Sequence, residues 1–436
     1  MDDLRLIGGQ PLRPLNQNEL DSVVARHEQF SKGRVGGARA ILSFCDLTGL
    51  SLAGRDLSHA DLTGAVLAHC NMSKTNLDSA VLYGADLRHA NLIGASLVKA
   101  DLRGAIFRAT SLMGANLASA DLRDGRIAEM QRGQLVGGWG VDNTKPIPVD
   151  FSNANLTSAK LSGAVAAGTN FSHAIMHSCM LQRVNLKGAN LSCVDLNGAD
   201  LSGADIRDAN LRGAVLVDTR MEMAETAGAD FNATLTAAPA GHVISELADP
   251  LPKLMTQHLK WLASEGKEGK MLDLSGFDLR SLDTIEEVTL TALHAPGATF
   301  YGLKLPGVQM QYAHFDGSDM RNCSFYRGDL RGISLSRAQL NMSNLSGTKM
   351  GPLTVSGGRV YTSNLSSAII RHVNFREADL SKADFVDADC SYTDFSGADL
   401  TGANFYGARL TGANLTGTRL NDANLSDLAD GTDMIR

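Results

Sequence analysis

Residues 85–94 read Ala-Asp-Leu-Arg-His-Ala-Asn-Leu-Ile-Gly, and residues 60–64 read Ala-Asp-Leu-Thr-Gly. The same five-residue block recurs along most of the chain. Every fifth residue is apolar, with rare exceptions, from Leu47 to Ile127, from Phe151 to Met221 and from Phe300 to Leu425, and a small residue stands two places before it. A helix needs apolar spacing near 3.6 and a half-buried strand needs spacing of two. A period of five fits neither, so each block is one short extended segment plus a turn. The chain must then coil back over itself, so that backbone groups on successive coils pair about 4.8 Å apart. The central Leu, Met or Phe fills the coil axis, and the Ala beside it also points inward, where only a small side chain fits. Gly two places after the centre, as at Gly64, Gly84, Gly94, Gly104 and Gly114, suits the corner conformation.

The A-(D/N)-L-x-x pattern resembles the pentapeptide-repeat proteins. That resemblance implies an all-β solenoid: a right-handed, four-sided β-helix with 20 residues per coil. The best understood relatives are bacterial proteins that mimic DNA and bind DNA gyrase, while others are secreted effectors or scaffolds. An enzyme is not expected, since only scattered polar residues on rod faces would support one.

The repeat divides the chain. Residues 1–44 form an N-terminal segment and capping helix, and 45–221 a first β-helix with a loop inserted at 128–150. Residues 222–271 form a linker and second capping helix, and 272–436 a second β-helix with a short polar tail. Its 26 repeats are read as unbroken. Central residues end in 2 or 7 through Ile127, in 1 or 6 from Phe151 and in 0 or 5 from Ile285, and each slip must be absorbed outside a regular coil. Leu20, Val23, Val24, His27 and Phe30 share a helical face, with Asn16 or Asn18 as the cap; Leu251, Leu254, Met255, His258, Trp261 and Leu262 share another. The two helices look like copies, each laid over an open coil end that would otherwise expose unpaired backbone. His27 and His258 are expected as buried histidines bonded to a loop carbonyl. Seven central positions from 300 to 405 are Phe (Phe300, Phe315, Phe325, Phe375, Phe385, Phe395, Phe405), against Phe107 alone in the tract from Leu47 to Ile127.

Composition narrows the function. The 436 residues carry a net charge of −7, and basic runs are lacking, which argues against direct nucleic-acid binding. No N-terminal signal and no apolar run of roughly 18 residues is present, so a cytoplasmic protein without a membrane span is expected. Cys45, Cys70, Cys179 and Cys323 take the small inward position and Cys390 the central one, so cysteine serves as a small hydrophobe. Phosphate-binding, metalloprotease, nucleophile-elbow and Cys-x-x-Cys motifs are absent, and no cofactor or metal is expected.

Coiling turns residues 20 apart into columns. His69 and His89 stack but lack a third ligand; Asp101 with Asp121 and Arg103 with Arg123 form a compensated surface. Residues 377–408 stand out: Glu377, Asp379, Asp384, Asp387, Asp389, Asp394 and Asp399 face the single base Lys382 within that stretch. Asp before the central Leu also bonds local backbone, the blander reading of the same residues. Two functions follow. The first is a non-catalytic scaffold for an unidentified protein partner, with Trp139 near the tip of the 128–150 loop as a contact. The alternative is a DNA-mimicking modulator of DNA gyrase or topoisomerase acting through the acidic face at 377–408.

Overall fold

The computed structural model describes residues 6–7, 10–124, 128–131, 134–137, 148–282, 289–355 and 357–429. The chain separates into two compact units, residues 1–238 and 239–436. Each is a β-helix solenoid.

The ladder is built from single parallel bridges. Asp46 pairs with Val66: the Val66 N–H donates to the Cys45 carbonyl at 2.9 Å and the Leu47 N–H donates to the Val66 carbonyl at 2.8 Å. The column continues through Asp86, Ile106, Asp150, Asn170, Asn190 and Asn210 to Asp230, and three more columns flank it at five-residue offsets. Eight steps at about 4.8 Å give a rod of roughly 38 Å. In the second unit one column runs from Asp273 through His294, His314, Ser334, Asn364, Asp384 and Asn404 to Asn424, seven steps or roughly 34 Å.

Turns join the sides. The Ala60 N–H donates to the Leu57 carbonyl at 3.0 Å, and this bond recurs at the corners on either side. Each corner residue from Phe44 to Ser119, taken in steps of five, has φ between +56° and +74°. Glycine is therefore only one solution. Phe44, His59, His69, Lys74 and Ala109 adopt the same left-handed conformation, at a cost of about 1–2 kcal/mol each that the ladder overrides.

Inside, the central residues and their small partners are buried in one continuous cluster per unit, except in the last coils, where Met221, Phe231, Leu420 and Leu425 are half-buried. Where Cys, Thr or Ser replaces Ala, its hydrogen goes to the carbonyl of a central residue, either one coil below or, for Ser318 and Thr348, three residues back at Phe315 and Leu345. Cys70 Sγ donates to Leu47 at 2.9 Å, Thr75 Oγ1 to Leu52 at 2.8 Å and Ser343 Oγ to Met320 at 2.6 Å. These bonds satisfy the buried polar atoms. Phe375 with Phe395 and Phe385 with Phe405 form two parallel stacks, 5.5 and 4.6 Å between centroids, that meet edge to face. The first unit has its own stack, Phe107 on Phe151 on Phe171 at 4.4 and 5.1 Å, spanning the point where the first insertion leaves the coil.

Three sequence boundaries need correction. The first solenoid runs to Leu235 rather than 221, because Asp205↔Glu225, Asn210↔Asp230 and Val215↔Leu235 continue the ladder. The polar Thr226 at a central position had masked that last coil. The first insertion separates Ile106 from Asp150, 44 residues instead of 20, and includes an antiparallel hairpin of Ala128–Gln131 with Gln134–Gly137. The second tract is not unbroken: Ser334 pairs with Asn364, 30 residues on, and the ten extra residues hold a hairpin of Leu353–Thr354 with Val360–Tyr361.

Each solenoid begins under a cap. In the first, the strand Arg13–Pro14 lies parallel to Cys45–Asp46 and leads into helix α1, Gln17–Ser31. Asn16 is its N-cap, accepting the Glu19 N–H while Glu19 accepts the Asn16 N–H. In the second, His242–Val243 lies parallel to Phe277–Asp278 before helix α2, Leu251–Ala263. The capping histidines differ from expectation in the group they bind. Nδ1 of His27 accepts the Ala40 N–H and Nδ1 of His258 accepts the Leu272 N–H, both at 3.0 Å. Only His258 reaches a carbonyl, that of Thr291; His27 Nε2 has no partner among the described residues. The donors that need an acceptor are the N–H groups where the chain enters its first coil.

Replacing Phe385 by Ala should cost about 3–5 kcal/mol in a urea titration, through lost transfer energy and the cavity left in both stacks. A loss below about 1 kcal/mol would show that the ring does not lie on the coil axis.

Candidate functional site

The carboxylates at 377–408 fall into two kinds. Asp379, Asp384, Asp389, Asp394 and Asp399 precede a central residue, and each accepts the backbone N–H two residues on, from Ser381, Val386, Ser391, Ser396 and Thr401 at 3.0–3.2 Å. Glu377 and Asp387 occupy left-handed corners, at φ +57° and +56°. The first kind hold the turn; the second project from it.

The stretch does not face Lys382 alone, which corrects the sequence reading. Coiling brings arginines from the coils before and after it. Arg371 and Arg409 approach Asp389 at 2.5 and 3.7 Å, Arg376 lies 3.9 Å from Asp394, and Arg419 lies 2.7 Å from Asp399. A window of consecutive residues omits partners 18 or 20 positions away. Asp384 takes the Asn404 amide at 3.4 Å instead of a cation.

These contacts set the titration. The Arg419 hydrogen bond, with help from Thr401, holds the Asp399 carboxyl down to about 2. Burial opposes ionisation of Asp389, but Arg371 and the Ser391 hydrogen bonds outweigh it and leave this carboxyl below its ordinary range.

Other columns are self-compensated. Arg103 and Arg123 each bind the Asp two residues before them, Asp101 and Asp121, at 2.7 and 2.6 Å. His69 and His89 stack with rings 4.9 Å apart and 6° from parallel. Lone pairs lie in the ring planes, so parallel faces do not converge on one ion. No group of three His, Cys, Asp or Glu able to hold a metal occurs among the described residues. The six cysteines are free, and burial pushes the thiols of Cys70 and Cys179 up to about 11 and about 12, far from a reactive thiolate.

Trp139 lies outside the described residues. The second hairpin is described and was not anticipated. It lies back over the corner of the coils below it: a Cβ at Gly332 would sit 3.1 Å from Leu353 Cβ and 3.2 Å from Tyr361 Cβ. Tyr361 packs on Tyr312 with centroids 4.5 Å apart, and the hydrogen bond between them pushes the Tyr312 hydroxyl up. Val360 and Arg359 face solvent.

A family model described as pentapeptide repeats matches residues 40–124, 150–218, 313–351 and 363–427. The chain belongs to the pentapeptide-repeat family. The gaps in the match include the first insertion, the second cap with the coils on either side of it, and the hairpin at 353–361 of this pentapeptide-repeat protein. No curated protein matches the chain. Similar solved structures include HetL, a pentapeptide repeat protein involved in heterocyst differentiation regulation from the cyanobacterium Nostoc sp. strain PCC 7120 (20% identity, 97% of this chain and 100% of that one, TM-score 0.18). Another is QnrB1 in trypsin-treated form, a plasmid-mediated fluoroquinolone resistance protein (19% identity, 45% and 90%, TM-score 0.31). A third is Rfr23 from the cyanobacterium Cyanothece 51142 (28% identity, 30% and 89%, TM-score 0.19). At these TM-scores none bears on function. No helix among the described residues is long and apolar enough to cross a membrane.

Because its folded value is depressed, Asp399 contributes stability that is present above its ordinary range near 3.9 and lost as pH falls toward about 2. Carboxyl NMR titration should place its midpoint near 2, and Arg419→Met should move it up toward 3.9. An unchanged midpoint in the variant would show that Arg419 does not hold it.

Proposed function

We propose that this pentapeptide-repeat protein is a non-catalytic scaffold in the cytoplasm. Its partners are proteins that dock on the insertions carried by a right-handed, four-sided coil. The observation that supports this most is the closure of the ladder beneath both insertions. Ile106↔Asp150 and Ser334↔Asn364 pair as though nothing intervened, so the chain spends 24 and ten residues beyond the coil length without disturbing the rod. Residues unused by folding are available for contact. In the first insertion Trp139 is the proposed anchor; in the second, Val360 and Arg359 stand on a hairpin braced by Tyr312 and Tyr361.

DNA mimicry is the second reading. It needs an open run of carboxylates on one face, and Arg371, Arg376, Arg409 and Arg419 interrupt the run at 377–408. Gyrase therefore stands behind a protein partner of the insertions. Reversal of Asp379, Asp394 and Asp399 to Lys is a poor test, since it also removes acceptors that hold three turns. Asn keeps the acceptor and drops the charge, as Asn344 and Asn414 do elsewhere in the coil.

Removing residues 352–361 should restore a 20-residue coil and leave thermal stability nearly unchanged. On this proposal, capture of the partner from the source cell, read by quantitative mass spectrometry, falls at least about tenfold in that deletion and in Trp139→Ala. The triple Asp379, Asp394 and Asp399→Asn variant retains capture. Inhibition of gyrase supercoiling by wild-type protein, lost in the triple variant, would replace the scaffold reading with mimicry.

A further inference from the structure

The cap of the second solenoid hangs on one protonation state of one side chain. His258 is fully buried, with Nδ1 accepting the Leu272 N–H at 3.0 Å and Nε2 2.8 Å from the Thr291 carbonyl oxygen. An acceptor at Nδ1 and a donor at Nε2 define the neutral imidazole. Leu272 opens the first coil, where its carbonyl accepts the His294 N–H, and Thr291 bonds on to Gln311 through its hydroxyl. The ring thus ties α2 to the coil at two points.

The first cap is fastened differently. Arg55 of the coil pairs with Asp21 and Glu28 of α1, Ser31 bonds to Asp56, and Gln17 exchanges hydrogen bonds with Ser51. Among the described residues, no ion pair or side-chain hydrogen bond other than those of His258 links α2 to the coil. Lys253 pairs with Asp249 at the start of its own helix. Lys260 lies on α2, Lys270 on the segment after it, and Asp273 and His294 on the coil; none of these charged or titratable groups contacts the imidazole. A proton arriving at Nδ1 would turn its acceptor into a donor aimed at the Leu272 N–H, and would place a charge that no carboxylate among the described residues receives.

We infer that α2 is an acid-released cap: protonation of His258 detaches it from Leu272 and Thr291 and uncovers the N-terminal edge of the second solenoid, while α1 stays in place. Release withdraws Leu251, Leu254 and Met255 from the cluster that includes Leu272, Leu274 and Leu290, and so opens an apolar surface beside the coil edge. Burial already holds the His258 imidazole below its ordinary value, so it is neutral at pH 7. The cap is at full strength above about pH 6.5 and weakens as pH falls toward the folded value.

Trp261 reports on the event, since its indole stacks on the His258 ring at 5.8 Å and 16°. In full-length Trp139→Phe protein it is the sole tryptophan. Between pH 8 and 4.5 its emission should change reversibly, with the transition below pH 6.5. Hydrogen exchange over 251–274, corrected for intrinsic rates, should show the opening constant rising about tenfold per pH unit below 6.5 until the folded value is reached. Peptides of α1 and of coils 363–429 should keep their protection. His258→Gln should abolish the pH dependence. Nitrogen-15 shifts of the wild-type ring, which need no variant, should report the Nε2–H tautomer at pH 7 and its loss through the same transition. Unchanged exchange over 251–274 down to pH 4.5 would overturn the inference. So would an identical transition in His258→Gln, or simultaneous loss of protection over the coils.

Discussion

One interaction carries the structure: the pair of parallel backbone hydrogen bonds between residues 20 apart. At Asp46↔Val66 it takes an N–H from each coil and a carbonyl from each, and the columns repeat it up both rods. Because the ladder recurs on each side of the coil, every side meets the same demands. The middle residue points to the axis, the residue two before it must be small, and the corner must turn left-handed. Five residues satisfy one side, and that is the repeat. Local preference yields to it, as at Phe44 and Ala109, which take a conformation neither would choose alone.

The axis was legible because each central position is buried on all sides, leaving little freedom beyond Leu, Met, Ile and Phe. The Asp before Leu was legible as a turn acceptor for the same reason: its bond is local. Features that depend on the coil count were hidden. The ten extra residues before Asn364 equal two repeats, so the five-residue phase passes through them unaltered, and only Gly351, Pro352, Gly357 and Gly358 hinted at a departure. The 24 extra residues before Asp150 slip the phase by one and were seen at once. Arginines that temper the acidic stretch were invisible for a related reason: Arg371 meets Asp389 and Arg419 meets Asp399 across coils.

A rod of this kind separates stability from recognition. Outward Asp, Asn and Arg residues are largely occupied with each other and with turns, as Asp101 with Arg103 and Asn404 with Asn424 illustrate. The insertions and the caps carry what folding does not consume. The caps also explain how each rod begins: a short parallel strand extends the first coil, and a helix with a buried histidine closes the axis beside it.

The central claim is that a full coil of 20 residues, with its five-residue phase, is the unit the ladder requires. Deleting 176–195 removes one coil and joins Ile175 to Leu196 in phase; deleting 176–193 removes two residues fewer and drives Leu196 to a corner. Thermal unfolding of the two purified proteins, followed by circular dichroism, tests this directly. The longer deletion should melt cooperatively within about 5 °C of wild type, whereas the shorter one should lose cooperativity and β signal. Equal tolerance of both deletions, or equal damage by both, would contradict the account.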